Sequence, residues 1–366
     1  MKKQKSKLKY VKRDIIHRII ASYVVLIGER SNGKSHAVKE DVIKNNLESG
    51  EEFAYIRRWK EDTKNYMIES YFADILCDKN TNENLLETWS NGKYNDIVVD
   101  KGTIYLATSK DGIISKGQIL GHVFALNWAE HYKSLSFPKI TTAVFEEFCT
   151  QGSFLQDEPN KMQHLISTIF RHSHAKVYMV GNTVSRINPY FAQWQLTNIN
   201  KQKNGTIENY YYTYDNDGEK CETKIAVYLT HSLNFNSGMF FGNISKAIAG
   251  GEWETSEQPR LPGEYSDYKK LYTVVFMYDY TLFLMEFLQD PNNASNFTWY
   301  ISPKNTPPQK KTRVVSNKYA LNYLWTKGFI GLTDAEVKLF RLLEAGKVCF
   351  MDNLTGTEFY QCYNMM

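Results

Sequence analysis

The apolar positions of this chain recur in short continuous runs separated by helix-compatible stretches, and their order predicts the architecture. Tyr23–Ile27, Phe53–Arg57, Ile97–Val99, Thr103–Thr108, Ile140–Phe145 and Lys176–Val180 read as strands, with Glu61–Cys77 and Met162–Phe170 as helices between them. Such alternation over residues from about 14 to 235 predicts an α/β domain, a parallel sheet covered by helices. From 196 to 230 the pattern changes. Turns at Asn204-Gly205 and Asp215-Asn216-Asp217-Gly218 flank Tyr210–Tyr214 and Lys224–Leu229, the strands of a hairpin. This segment is expected to form a small β-rich lid at about 196–235. A polar Gly/Pro stretch, Gly250–Trp253 through Pro259, Pro262 and Gly263, places a linker at 236–264. The remaining residues, 265–366, restart with a strand at Leu271–Met277. Turn signals at Asp290–Asn293 and Pro303–Pro308 follow, then helices near 316–326 and 333–345. No internal repeat is visible.

Composition narrows the class. A length of 366 residues suits two domains, and 25 Tyr and 20 Phe supply large cores. No apolar run reaches the roughly 18 residues of a membrane span, so no membrane partner is expected. The start of the chain lacks a secretory pattern. Five cysteines (Cys77, Cys149, Cys221, Cys349, Cys362) are scattered without C-x-x-C spacing, which fits a reducing compartment and argues against zinc. The net charge of +4 is uneven: Lys2, Lys3, Lys5, Lys7, Lys9, Lys12 and Arg13 all precede the first acid, Asp14. A basic arm of this kind suits a phosphate backbone, and a solvated tail is the alternative.

The chemistry is concentrated in Val24-Val25-Leu26-Ile27-Gly28-Glu29-Arg30-Ser31-Asn32-Gly33-Lys34-Ser35. A strand running into G-x-x-x-x-G-K-S is the phosphate-binding loop of P-loop NTPases. Gly28 and Gly33 permit the backbone angles that let successive N–H groups wrap the phosphates of ATP. Arg30, Ser31 and Asn32 complete the loop. Lys34 would reach the β- and γ-phosphates, and the Ser35 hydroxyl would bind Mg²⁺.

Such a loop needs a partner strand bearing a carboxylate. Ile140–Phe145 ends in Glu146-Glu147, where Glu146 would hold the Mg²⁺ shell and Glu147 would polarise the attacking water, both acids turning toward the nucleotide. A rival strand, Ile97–Val99, ends in the single acid Asp100. Lys176–Val180 ends in Gly181-Asn182, where the amide would contact the γ-phosphate or the water. Arg171, between a helix and that strand, suits an arginine finger acting in a neighbouring subunit.

Taken in order, the loop with Arg30 inside it, Tyr55-Ile56-Arg57-Arg58, Phe137–Phe148 and Val180-Gly181-Asn182 through Asn188-Pro189-Tyr190-Phe191 resemble the DNA-packaging (encapsidation) ATPases of small podophages. The resemblance covers roughly residues 20 to 195. It implies an ASCE-type P-loop ATPase working as a ring, typically of five subunits, that drives double-stranded DNA through the portal of a procapsid in the host cytoplasm. A packaging RNA is a further partner in some relatives. It also implies that Lys133, like Arg171, acts in trans. The family usually carries Asp then Glu on the carboxylate strand, and this chain has Glu146. The C-terminal region is expected to be a vestigial RNase H-like α/β domain that contacts nucleic acid through Lys304, Lys310, Lys311 and Arg313. An active nuclease would instead draw acids from Asp279, Glu286, Asp352 and Glu358. A P-loop kinase or nucleotide-metabolism enzyme is the other alternative.

Overall fold

The side chains of Val24–Ile27 are at most 1% exposed, as required of a strand covered on both faces. They form β1 (Tyr23–Gly28) in a computed structural model that describes residues 10–79, 81–150, 154–171, 176–185, 187–196, 198–199, 201–216, 219–231, 255–278, 281–304, 306, 308–309, 312–317, 323–327 and 330–366. The described chain divides into two units. Ser185–Trp194 groups with the residues from 255 onward, and the remainder forms the first unit.

The first unit is built on β1, β2 (Glu52–Arg57), β3 (Asp96–Asp100), β4 (Thr103–Lys110), β5 (Ile113–Ala125), β6 (Ile140–Glu146), β7 (Lys176–Asn182), β8 (Thr206–Asn216) and β9 (Glu219–Leu229), in the spatial order β3-β4-β5-β2-β6-β7-β1-β9-β8. The strands from β5 to β9 through β2, β6, β7 and β1 are parallel, and antiparallel strands close both edges. Register sets the ends of three strands side by side, with Gly28 opposite Asn182 and Glu146 opposite Val180. Helices α1 (Arg13–His17), α2 (Lys34–Ser49), α3 (Asn65–Tyr71), α4 (Ala73–Leu76), α5 (Leu85–Trp89) and α6 (Glu158–Ile169) accompany the sheet. Val38 and Val42 of α2 pack with Val24, Leu26, Tyr55, Val144 and Tyr178 in its core. Burying each such side chain contributes about 1.5–3 kcal/mol.

Several expectations are corrected. The lid hairpin extends the main sheet, because Ile225–Leu229 pair in parallel with Tyr23–Ile27, and only its outer half runs past β1. The helix expected over Glu61–Cys77 is broken. A 3-10 turn at Lys60–Thr63 gives way to extended backbone at Lys64, and buried Phe72 separates α3 from α4. The sequence pattern does not mark strand β5, because its first half, Ile113–Gly117, is exposed and mixed in character. Arg13 is not part of a free arm: it lies in α1 and pairs with buried Asp41 at 3.1 Å. Residues 1–9 of the arm lie outside the described residues.

The second unit contains α7 (Pro189–Gln193) and a six-stranded sheet, ordered β14-β13-β10-β11-β12-β15. Its strands are β10 (Lys269–Tyr278), β11 (Thr281–Asp290), β12 (Asn293–Pro303), β13 (Arg313–Ser316), β14 (Leu324–Lys327) and β15 (Val348–Phe350). Strands β10 to β12 form an antiparallel meander, β13 runs parallel to β10, and β14 runs parallel to β13. At the described ends of the helix expected near 316–326 there is strand instead, because pairing with β10 and β13 overrides local preference; residues 318–322 lie outside the described residues. Helices α8 (Asp334–Glu344) and α9 (Asn353–Met365) supply Phe340, Leu343, Phe359 and Cys362 to a core with Trp299, Ile301 and Phe276. No helix among the described residues is long and apolar enough to cross a membrane.

Candidate active site at the ends of β1, β6 and β7

The loop after β1 turns through left-handed backbone at Ser31 (φ 61°) and Gly33 (φ 89°) before α2 begins at Lys34. Glycine suits the second position because a side chain there would be strained. Gly28 is required for a different reason: a Cβ there would sit 1.9 Å from Thr230 Oγ1. That threonine, just past β9, accepts a hydrogen bond from Asn32 Nδ2 and donates to Ile27 O at 3.1 Å. Val11 N donates to Asn32 O at 3.0 Å, so the chain preceding α1 also braces the loop. Arg30 is exposed.

Lys34 is buried inside this loop. Its ammonium donates to Gly28 O (3.2 Å), Glu29 O (2.6 Å), Asn32 Oδ1 (3.1 Å) and Asn182 Oδ1 (3.2 Å), four neutral oxygens. Burial lowers its pKa to about 8, with the field of Glu146 opposing. Ser35 Oγ donates to Glu146 Oε2 at 3.2 Å, and Tyr71 OH donates to Glu146 Oε1 at 2.8 Å. Burial raises the Glu146 pKa against these two bonds. Burial and the field of Glu146 likewise keep Tyr71 a protonated donor.

Glu147 is placed differently. Its left-handed backbone (φ 57°) ends the strand, and its side chain, 64% exposed, pairs with Arg57 Nη2 at 2.8 Å. Of the two acids, only Glu146 reaches the phosphate loop. Arg58 anchors this bend, donating to Glu147 O (3.2 Å), Phe148 O (2.7 Å) and buried Glu158 (2.8 Å). The rival Asp100 lies at the sheet edge, six strands from β1, where it pairs with Lys116.

Lys133 and Arg171 are brought together with each other. Arg171 Nη2 donates to Lys133 O, and Lys133 pairs with Glu130 at 2.5 Å. Both side chains are exposed. Three participants were not assigned roles from sequence. Tyr71 and Thr230 carry no local signal, since each acts through a contact with a residue distant in the chain. Arg58 belonged to a recognisable block, and its buried partner Glu158 is 100 residues away.

In the second unit, two of the acids a nuclease would draw on, Glu286 and Asp352, are engaged elsewhere. Glu286 is buried and bonded to Lys270 and to Tyr265 OH (2.6 Å), and Asp352 caps α9 through Thr355 N (2.6 Å). Asp279, Lys310 and Lys311 lie outside the described residues. Arg313 is committed to Glu336 at 2.7 Å.

Comparison with known proteins adds the following. The family model described as Podovirus DNA encapsidation protein (Gp16) matches residues 5–211. A DNA packaging protein of Bacillus phage B103 is 30% identical over 184 residues, 49% of this chain and 50% of that protein. Its counterpart in Bacillus phage phi29 is 27% identical over 184 residues, 49% of this chain and 48% of that protein. The chain thus spans about half the length of the curated relatives it matches. Among solved structures, a chain of the bacteriophage Phi-29 viral genome packaging motor assembly superposes with a TM-score of 0.57 at 20% identity, covering 97% of this chain and 99% of that one. The Phi-28 gp11 DNA packaging motor gives a TM-score of 0.51 at 15% identity over 98% and 99%. These two likenesses show the fold.

Proposed function

The chain belongs to the podovirus DNA encapsidation protein (Gp16) family, and on that premise we propose that it is the ATPase of a motor driving double-stranded DNA into a viral procapsid. One observation carries the reading: a buried lysine opening α2 after β1 and a buried glutamate ending β6, each hydrogen-bonded only to neutral groups. The lysine invites a polyanion, and the glutamate invites a cation.

Lys34 binds the β- and γ-phosphates of ATP, with the amides of Gly28–Gly33 around them. Ser35 and Glu146 fit Mg²⁺, which takes one or two carboxylate ligands together with substrate phosphates. When bound, that ion supplies neutralising charge on the phosphates. Glu147, paired with Arg57 just past the end of β6, orients and deprotonates the attacking water. Asn182, already bonded to Lys34, exchanges that contact for one to the γ-phosphate and so reports its presence.

Arg171 and Lys133 bond to each other and to Glu130 rather than to their own phosphate loop, which supports roles in a neighbouring subunit's site. The assembly this implies is a ring, typically pentameric, at the portal of a procapsid in the host cytoplasm. Packaging RNA would be an additional partner. The strand order β12-β11-β10-β13-β14, a meander followed by two parallel strands, supports an RNase H-like second domain. The capping and ion-pair duties of Glu286 and Asp352 favour a vestigial domain that contacts nucleic acid over an active nuclease.

Steady-state ATP hydrolysis with and without linear double-stranded DNA tests the proposal. DNA-stimulated turnover that falls with rising salt is expected. Phosphoryl transfer to a small acceptor, with no response to DNA, would replace this reading with a kinase.

A further inference from the structure

The Glu146 side chain has one more torsion to fix than an aspartate would have. Both of its oxygens are fixed here, Oε2 by Ser35 at 3.2 Å and Oε1 by Tyr71 at 2.8 Å. The tyrosine is itself braced. Its ring lies 4.9 Å from that of Tyr55, and Lys39 Nζ sits 4.6 Å above its face. Lys39 also donates to Tyr71 O at 2.7 Å and pairs with Asp74, which bonds His36 at 3.0 Å. Burial would raise the Asp74 carboxyl, but the bonds from His36 and Lys39 hold it down to about 2. The brace therefore runs from the first turns of α2, immediately after Ser35, through α3 and α4 to the end of β6.

We propose that Tyr71 is a positioning residue for the Glu146 carboxylate, matched to the length of the glutamate side chain at the metal-holding position. The inference rests on the ATPase reading above. An aspartate at 146 would withdraw the carboxylate by about 1.5 Å, one carbon–carbon bond, and would lose either Ser35 or Tyr71. With glutamate, the phenol holds one oxygen and leaves the other facing Ser35, the hydroxyl with which it would hold the cation.

The test uses the full chain and four proteins: the parent, Tyr71→Phe, Glu146→Asp and the double variant. Mn²⁺ serves as the probe for Mg²⁺, with binding read by the electron paramagnetic resonance of free Mn²⁺ in the presence of a non-hydrolysable ATP analogue. Tyr71→Phe should weaken Mn²⁺ binding about tenfold in the Glu146 protein, the usual value of a hydrogen bond to a charged group. In the Glu146→Asp background it should change binding by no more than about twofold. Metal-free binding of the analogue should be equal in all four proteins. Undiminished Mn²⁺ affinity in Tyr71→Phe, or an equal loss in both backgrounds, would overturn the proposal. Loss of metal-free binding in Tyr71→Phe would also overturn it, by making the tyrosine a structural prop. A parent that takes up no Mn²⁺ with the analogue would overturn this inference and the ATPase reading together.

Discussion

Two regions of this protein bury charge, and they do so in opposite ways. At the phosphate loop, the Lys34 ammonium is met by four neutral oxygens and the Glu146 carboxylate by two hydroxyls. At the start of α8, the Glu336 carboxylate accepts bonds from Arg313 (2.7 and 3.2 Å), Tyr272 and the Thr333 backbone (2.8 Å). Neutral dipoles stabilise a buried charge without cancelling it, so its field remains available to a ligand. A charge matched by its own counter-ion is committed to the fold. The first arrangement costs stability that the proposed nucleotide would restore, and the second closes on itself.

The largest expected effect breaks the working region alone. Glu147→Gln keeps the shape of the side chain and removes its charge, so turnover should fall by about 10²- to 10⁴-fold while ATP binding persists. Rapid-quench hydrolysis paired with equilibrium nucleotide binding reads both, and normal turnover would remove Glu147 from its role. Next comes a contrast of magnitude. Arg313→Met leaves Glu336 buried without its cation and should cost about 3 kcal/mol in denaturant unfolding. Lys34→Met removes a buried ammonium bonded only to neutral oxygens, so it should cost less stability than Arg313→Met while nucleotide affinity falls about 100-fold.

A pH series sharpens the same contrast. Burial would raise the Glu336 carboxyl, but Tyr272, Thr333 and Arg313 together hold it down to about 2. Its folded pKa lies below the unfolded value, so the stabilisation is complete above about 4.5 and drains away as pH falls toward 2. Acid unfolding of the second unit, followed by near-ultraviolet circular dichroism, should lose this contribution in Glu336→Gln. The smallest effect belongs to Asp100→Asn at the exposed sheet edge. Its pairing with Lys116 is solvent-screened, so stability and turnover should both match the parent.

Local features carried much of this into the sequence. The run Val24–Ile27, the spacing from Gly28 to Ser35, the acids ending Ile140–Phe145 and the amide after Gly181 are all contiguous signals, and the register of β1, β6 and β7 brings these ends together. The block at Tyr55–Arg58 was legible as a marker and silent about its duty. The helix expected near 316–326 meets strand at its described ends for the complementary reason: Ser316 pairs with Met277 of β10, and Leu324–Thr326 pair with β13, partners distant in the chain.

What the amino-acid sequence determined by itself, then, is whatever a few adjacent residues suffice to specify: a strand buried on both faces, a loop of glycines and a lysine, a pair of carboxylates. Tertiary structure alone decided which carboxylate faces the loop, since the left-handed turn at Glu147 breaks the alternation a strand would impose. It alone supplied Tyr71, Thr230 and Val11 as supports, and it made the lid hairpin an extension of the main sheet. The physical reason is range. Backbone propensity and motif spacing act over a few residues, whereas the orientation of a buried charge is set by dipoles that only folding brings within 3 Å.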